Sequence, residues 1–125
     1  MKNGDVYEGD FYAGLYDGYG VLTRKNEWEY EGEFKKGLKH GFGTERNTKG
    51  YRYRGDFIND QKTGHADIKH EDGSSYKGQV KSNFYHGQGT LISKELHSYT
   101  GSFRWGKKHG SGILQTPLWV FEGDF

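Results

Sequence analysis

The strongest constraint on this chain is a short sequence pattern that returns at a fixed interval. The segment YEGDF begins at Tyr7, and related segments begin at Tyr30, Tyr53, Tyr76 and Tyr99, each 23 residues after the one before. A sixth copy, FEGDF, begins 22 residues after the fifth. A constant period of this length indicates a repeat protein in which every repeat contributes the same supersecondary unit. All 125 residues are therefore predicted to form one array.

The period divides the chain into five full copies and one partial copy. The predicted repeats are 5–27, 28–50, 51–73, 74–96, 97–118 and, for the partial copy, 119–125. Because the sixth copy contains only the first half of the pattern, we expect residues 1–125 to be a fragment of a longer protein.

Each copy begins with residues that alternate in character. Tyr7, Gly9 and Phe11 fall on one face. The later copies keep tyrosine, glycine and an aromatic residue there, except for Val80 in the fourth copy and Phe121 in the sixth, and mostly charged residues on the other face. This period of two predicts a half-buried β-strand. A repeated glycine inside a strand marks the close approach of another group. We expect an aromatic ring of the neighbouring strand to lie over it.

The second half of each copy predicts a connection and a second strand. In the first copy the connection is residues 12–18 and the strand is residues 19–24, with Leu22 on the packed face and Glu45 as the exception at this position in the second copy. The third residue of each connection is of a type that tolerates positive φ: Gly14, Gly37, Asp60, Asn83 and Gly106. Each copy is thus a predicted β-hairpin, and successive hairpins are predicted to lie side by side.

Two nine-residue segments carry a resemblance to a known family. KKGLKHGFG, from Lys35 to Gly43, and RWGKKHGSG, from Arg104 to Gly112, resemble the MORN repeat (membrane occupation and recognition nexus). The resemblance implies an all-β fold, an elongated, twisted, single-layer antiparallel meander of tandem hairpins with a groove. It also implies a scaffold or adaptor at membranes, cytoskeletal structures or cilia, and the family's repeats also occur beside enzyme domains. The third copy departs most, with Ala66 in place of a glycine.

The repeated aromatic residues predict a binding groove. A single-layer sheet has no second layer to bury its rings completely, so we expect part of the row to stay exposed and to bind a helix or an extended peptide. The predicted function is that of a non-enzymatic scaffold or adaptor in the cytoplasm, at a cytoskeletal, ciliary or membrane-apposed structure. The predicted groove residues are Tyr7, Phe11, Tyr30, Phe34, Tyr53, Phe57, Tyr76, Tyr99 and Phe103.

An alternative function rests on the basic residues in the connections. All the connections emerge at one edge of the predicted sheet, and that edge could bind anionic phospholipid as a peripheral module, with a regulatory role beside an enzyme domain outside this chain. Nucleic acid is not expected as a partner, because the net charge is only +1. The basic residues are Lys35, Lys36, Lys39, Lys62, Lys81, Arg104, Lys107 and Lys108.

The sequence predicts no catalytic residue, metal site or cofactor. His40, His86 and His109 occupy one repeat position, and equivalent residues two strands apart are about 10 Å from each other, too far to share an ion. The carboxylates recur on the solvated face of every first strand, which does not describe a unique active site. Cysteine is absent, and we expect an intracellular protein that forms homo-oligomers through its open sheet edges.

Overall fold

The structure is a computed structural model that describes residues 5–125. Eleven strands account for most of these residues, and none of the described residues lies in a helix that could cross a membrane. The strands are β1 (Asp5–Tyr12), β2 (Leu15–Arg24), β3 (Trp28–Lys35), β4 (Leu38–Asn47), β5 (Arg52–Ile58), β6 (Gln61–Lys69), β7 (Ser75–Lys81), β8 (Phe84–Ile92), β9 (Ser98–Arg104), β10 (Lys107–Gln115) and β11 (Val120–Asp124).

The strands form one open antiparallel sheet in which chain order and spatial order are the same, from β1 to β11. Each pairs with its neighbours in the chain, for example β1 with β2 and β2 with β3. The predicted all-β meander of hairpins is confirmed. Within the described residues β1 and β11 each have one neighbouring strand, and oligomerisation through these edges stays a prediction.

The predicted seven-residue connection is wrong, because most of it is strand. In the first hairpin only Ala13 and Gly14 lie between β1 and β2, and both have positive φ, 53° and 80°. Two consecutive residues of positive φ make the tight turn whose twist matches that of the flanking strands. The positive φ predicted at the third position of the connection is confirmed in all five hairpins. The positive φ of the residue before it was missed, because four of these five residues are of types that do not signal it and only Asn59 is of a type that does: Ala13, Lys36, Asn59, Ser82 and Trp105.

The residue after the strand glycine, Asp10 in the first repeat, Glu33 in the second and Gln79 in the fourth, holds a bulge together. Gly18 has φ 90° and lies inside β2, and the backbone N–H of Tyr19 donates a hydrogen bond to Asp10 Oδ2 at 3.3 Å. The register of β1 and β2 shifts between Gly9 and Phe11 at this point. Equivalent bonds run from Phe42 N–H to Glu33 Oε2 and from Gln88 N–H to Gln79 Oε1. These side chains on the solvated face therefore have a structural role.

The two glycines of each repeat serve two different contacts. The ring of Tyr7 lies over Gly20 on β2, where an added Cβ would be 2.5 Å from the ring atoms Cε1 and Cζ. Gly9 faces backbone instead, and a Cβ there would be 2.5 Å from Gly20 Cα. The expectation that a ring covers the first glycine is therefore wrong, because the ring reaches across to the glycine of the next strand and the first glycine lets the two strands approach.

Every repeating tyrosine also has its hydroxyl satisfied. The hydroxyl of Tyr7 donates to the backbone carbonyl of Asp10 at 2.7 Å. The hydroxyls of the other repeating tyrosines likewise donate to the backbone carbonyl three residues later, at 2.7–2.9 Å: Tyr30, Tyr53, Tyr76 and Tyr99. A buried tyrosine thus keeps a partner for its polar end.

A candidate binding surface on the aromatic face

The repeating tyrosines define the aromatic face of the sheet, and their rings are buried. Tyr30 and Tyr53 have no exposed surface, whereas Phe11 is 55% exposed. The expectation that the row stays partly exposed therefore holds for Phe11 alone. The binding role of these residues stays a prediction. The buried members of the predicted groove are Tyr7, Tyr30, Phe34, Tyr53, Phe57, Tyr76, Tyr99 and Phe103.

A single layer can bury these rings because they pack against each other from repeat to repeat. Tyr30 meets Phe34 of its own repeat at a centroid distance of 5.0 Å and Phe57 of the next repeat at 5.3 Å, both edge to face. Tyr7 makes the same contact with Phe34 at 5.3 Å. Edge-to-face pairs at such distances are the favoured arrangement of aromatic side chains. The row of rings is thus the hydrophobic core of the sheet.

One further residue in each repeat covers the tyrosine from outside. Tyr16 stacks on Tyr7 with ring centroids 3.9 Å apart and an interplanar angle of 10°. At the same repeat position Lys39 Nζ lies 5.2 Å from the centroid of Tyr30, a cation–π distance. We call these residues the covering row: Tyr16, Lys39, Lys62, Tyr85 and Lys108. They, rather than the buried tyrosines, form much of the outer surface of the aromatic face.

Three of the residues predicted for the basic edge belong to the covering row. Lys39, Lys62 and Lys108 hold their ammonium groups over rings of the aromatic face at cation–π distances. The exposed basic residues at the turns are the other five: Lys35, Lys36, Lys81, Arg104 and Lys107. With them at the turns are exposed apolar residues: Tyr12, Leu15, Leu38, Ile58, Phe84 and Trp105. We call these two sets together the turn edge.

Glu45 lies on the aromatic face, at a position that holds leucine or isoleucine in the other repeats. Its carboxylate pairs with Lys39 Nζ at 2.7 Å and with Lys62 Nζ at 3.1 Å, and its side chain is 18% exposed. The hydroxyl of Tyr51 donates to it at 3.4 Å. Burial alone would raise the pKa of Glu45, but the two lysines outweigh it and the pKa is lowered. The glutamate therefore stays ionised within a part-buried cluster.

A cleft of about 550 Å³ opens beside this cluster. Trp28 and Tyr51 line it together with Lys39, Glu45 and Asn47. Sequence reasoning missed it because Trp28 and Tyr51 lie outside the repeated pattern, two residues before the repeating tyrosine, and most other copies have a polar residue there. An aromatic residue at that position in two successive copies was the available signal.

The described residues contain no cluster placed to bind a metal ion. No group of three or more histidine and carboxylate side chains within residues 5–125 is placed to hold an ion. His86 bonds backbone, its Nδ1 accepting from Trp105 N–H at 3.3 Å. His40 Nδ1 is buried and has no hydrogen-bond partner within residues 5–125.

Comparison with known proteins places the chain in a family. It matches the MORN repeat five times, over residues 7–28, 30–50, 53–75, 76–94 and 99–117, which together make up most of its length. No curated protein gives a significant match to it. MORN repeats are typically non-catalytic, and in this chain Asp10 and Glu33 accept backbone hydrogen bonds at the bulges. The hairpin period, the five matched repeats and the meander agree, and the chain belongs to the MORN repeat family.

Proposed function

We propose that this MORN module is a scaffold or adaptor that holds a helix or extended segment of a partner protein against its aromatic face. The observation that carries the proposal is the cleft between Trp28 and Tyr51. Tryptophan and tyrosine in a concave site are typical anchors of protein interfaces. The proposed setting is the cytoplasm, at a cytoskeletal, ciliary or membrane-apposed structure.

The partner would contact the covering row and the cleft, while the buried rings support both from below. Successive members of the row are two strands apart, about 10 Å. That distance corresponds to about two turns of an α-helix or three residues of an extended chain. Tyr16 and Tyr85 offer apolar contact surface at two positions of the row, and an apolar side chain of the partner would enter the cleft beside Trp28.

Two tryptophans allow a matched test of this proposal. Trp28 lines the cleft, whereas Trp105 is exposed on the turn edge. For a partner isolated with the intact chain, calorimetric titration should show Trp28→Ala weakening the affinity about tenfold or more. Trp105→Ala should leave the affinity within about twofold. If Trp105→Ala weakened binding and Trp28→Ala did not, with both variants folded by circular dichroism, the proposed site would be wrong.

A second candidate function, binding to anionic phospholipid, is favoured by the turn edge. Phe84 and Trp105 on neighbouring turns pack edge to face at 6.0 Å, and both are about half exposed. Exposed aromatic residues among lysines and arginines are the combination that binds membrane interfaces. Such a module could regulate an enzyme domain beyond this chain.

Vesicle sedimentation separates the two functions. The lipid candidate predicts binding to vesicles that contain phosphatidylserine, loss of that binding as salt is raised, and loss with Trp105→Ala but not with Trp28→Ala. No sedimentation with phosphatidylserine vesicles at low salt would rule this candidate out. Binding to a partner through the cleft should persist over the same salt series.

A further inference from the structure

The polar face, opposite to the aromatic face, has its charges segregated along the sheet. Strand pairing aligns its central residues in two rows that run across the strands. The first row reads Val6, Thr23, Glu29, Arg46, Arg52, Lys69 and Ser75 from β1 to β7. The second reads Glu8, Val21, Glu31, Thr44, Arg54, Asp67 and Lys77. Carboxylates therefore occupy β1 and β3, and cations predominate from β4 to β7.

The basic half of this face contains a row of like charges. Arg46 is directly opposite Arg52, and Arg52 is directly opposite Lys69. Like charges in directly opposite positions destabilise a sheet. Arg46 has Glu29 and Glu31 at 3.7 Å. Within residues 5–125 no carboxylate comes within 4 Å of Arg52 on the next strand.

The cations of this face beyond Arg46 form no close ion pair within residues 5–125, although Asp67 is directly opposite Arg54 and Lys77. Within residues 5–125, Arg52, Arg54, Lys69 and Lys77 form no ion pair at 4 Å or less. Carboxylates from outside the chain would relieve the repulsion among them. The other half of the same face carries such carboxylates, on β1 and β3.

We propose that this chain forms a two-fold symmetric homodimer through its polar face. A two-fold axis parallel to the strands and passing through β4 places β3 of one copy opposite β5 of the other, and β1 opposite β7. Residues of one row meet residues of the same row. Glu29 then faces Arg52 of the second copy, Glu31 faces Arg54, and Glu8 faces Lys77. The same axis places Arg46 opposite the Arg46 of the second copy and Glu33 opposite its Asp56, and these like charges oppose the three favourable pairings. Because the interface is self-complementary, each pair occurs twice.

Apolar contact at the axis adds to the charge pairing. Phe42 of β4 is 51% exposed on the polar face and would meet its own counterpart. Tyr19 of β2 is 54% exposed on the same face. Half-exposed aromatic residues among arginines have the composition of a protein interface. The aromatic face of each copy remains free, so this dimer is independent of the partner proposed above.

The size of the surface predicts a weak, salt-sensitive dimer. Seven strands about 4.8 Å apart and five residues of about 3.4 Å outline roughly 550 Å² per copy. The total of about 1,100 Å² is at the lower end for specific complexes. Exposed ion pairs contribute little each and are screened by salt.

Reciprocal charge reversal tests the dimer. Sedimentation equilibrium of the whole chain at low salt should show a monomer–dimer equilibrium that shifts to monomer at high salt. The acid-reversed variant Glu29→Lys/Glu31→Lys and the base-reversed variant Arg52→Glu/Arg54→Glu should each raise the dimer dissociation constant at least about tenfold. An equimolar mixture of the two should recover the dimer, because every reversed residue then faces one of opposite charge.

Three outcomes would overturn the proposal. The first is a monomer at low salt and high concentration. The second is a dimer that neither reversal weakens, which would move the contact to the sheet edges at β1 and β11. The third is a mixture that stays monomeric although both variants are folded by circular dichroism. If a reversed variant does not fold, the glutamine versions Glu29→Gln/Glu31→Gln and Arg52→Gln/Arg54→Gln should weaken the dimer in the same direction.

Discussion

The ring of Tyr30 on β3 lies over Gly43 on β4 so closely that an added Cβ would be 2.5 Å from ring atoms Cε1 and Cζ. The same contact joins Tyr7 with Gly20 in the first repeat. The third repeat has Ala66 at this position, and there the alanine methyl group is accommodated and buried. This difference between repeats provides an internal comparison.

Gly43→Ala should destabilise the fold by about 2–3 kcal/mol, because the new methyl group overlaps a buried ring that has little room to move. Urea unfolding followed by circular dichroism measures the change. Ala66→Gly is the matched control and should change the free energy of unfolding by about 1 kcal/mol or less. Equal effects of the two substitutions would contradict the ring-over-glycine contact.

The cluster around Glu45 should behave as a unit. Glu45→Leu restores the residue type of the other repeats but leaves Lys39 and Lys62 part-buried without their carboxylate. We expect a loss of about 1–3 kcal/mol in the free energy of unfolding. Adding Lys39→Tyr and Lys62→Tyr reproduces the stacking of Tyr16 on Tyr7. The triple variant should therefore recover most of the lost free energy of unfolding.

The cluster also has a pH signature. Because the pKa of Glu45 is lowered in the folded state, its contribution is present above the unfolded value of 4.5 and is lost as pH falls below it. Urea midpoints of the native chain should therefore fall in acid more than those of the triple variant. A triple variant that is no more stable than Glu45→Leu alone, or that shows the same acid dependence as the native chain, would contradict this account.

Alkaline pH should unfold the protein over a defined window. Burial raises the pKa of Tyr76 and of Tyr85 to about 12, from the ordinary 10.0. Burial raises the pKa of Tyr30 and Tyr53 further. A raised folded pKa means that stability is complete below pH 10 and is lost as pH rises towards 12. Urea midpoints across this range should fall as tyrosinate absorbance appears, and a constant midpoint up to pH 12 would contradict the burial of these rings.

The spacing of the tyrosines was enough to predict the meander. Each period of 23 residues contains two alternating segments, so each repeat is a pair of strands and successive pairs lie side by side. The short turns could not be predicted, because Lys36 and Trp105 adopt positive φ without a residue type that signals it. The covering row was hidden for another reason. Tyr16 and Lys39 differ in chemistry, and only the structure shows that a ring and a lysine ammonium group both lie over the repeating tyrosine.

The residues predicted to line an exposed groove are buried, with the exception of Phe11. The sequence correctly places Tyr53 and Phe57 on one face, but alternation alone does not say how rings pack sideways. Without the edge-to-face contacts between repeats, a single layer looks too thin to bury them. Trp28 and Tyr51 became visible as a cleft only once the strand register was known.

The central claim is that the repeated tyrosines are the core of this sheet and that binding falls to the residues around them. Urea unfolding of Tyr53→Ala beside Tyr12→Ala tests it most directly, because Tyr53 has no exposed surface and Tyr12 is 74% exposed. The account predicts that Tyr53→Ala lowers the free energy of unfolding by about 3–5 kcal/mol or prevents folding. Tyr12→Ala should change the free energy of unfolding by about 0.5 kcal/mol or less. A Tyr53→Ala chain that unfolds at the urea concentration of the native protein would contradict it.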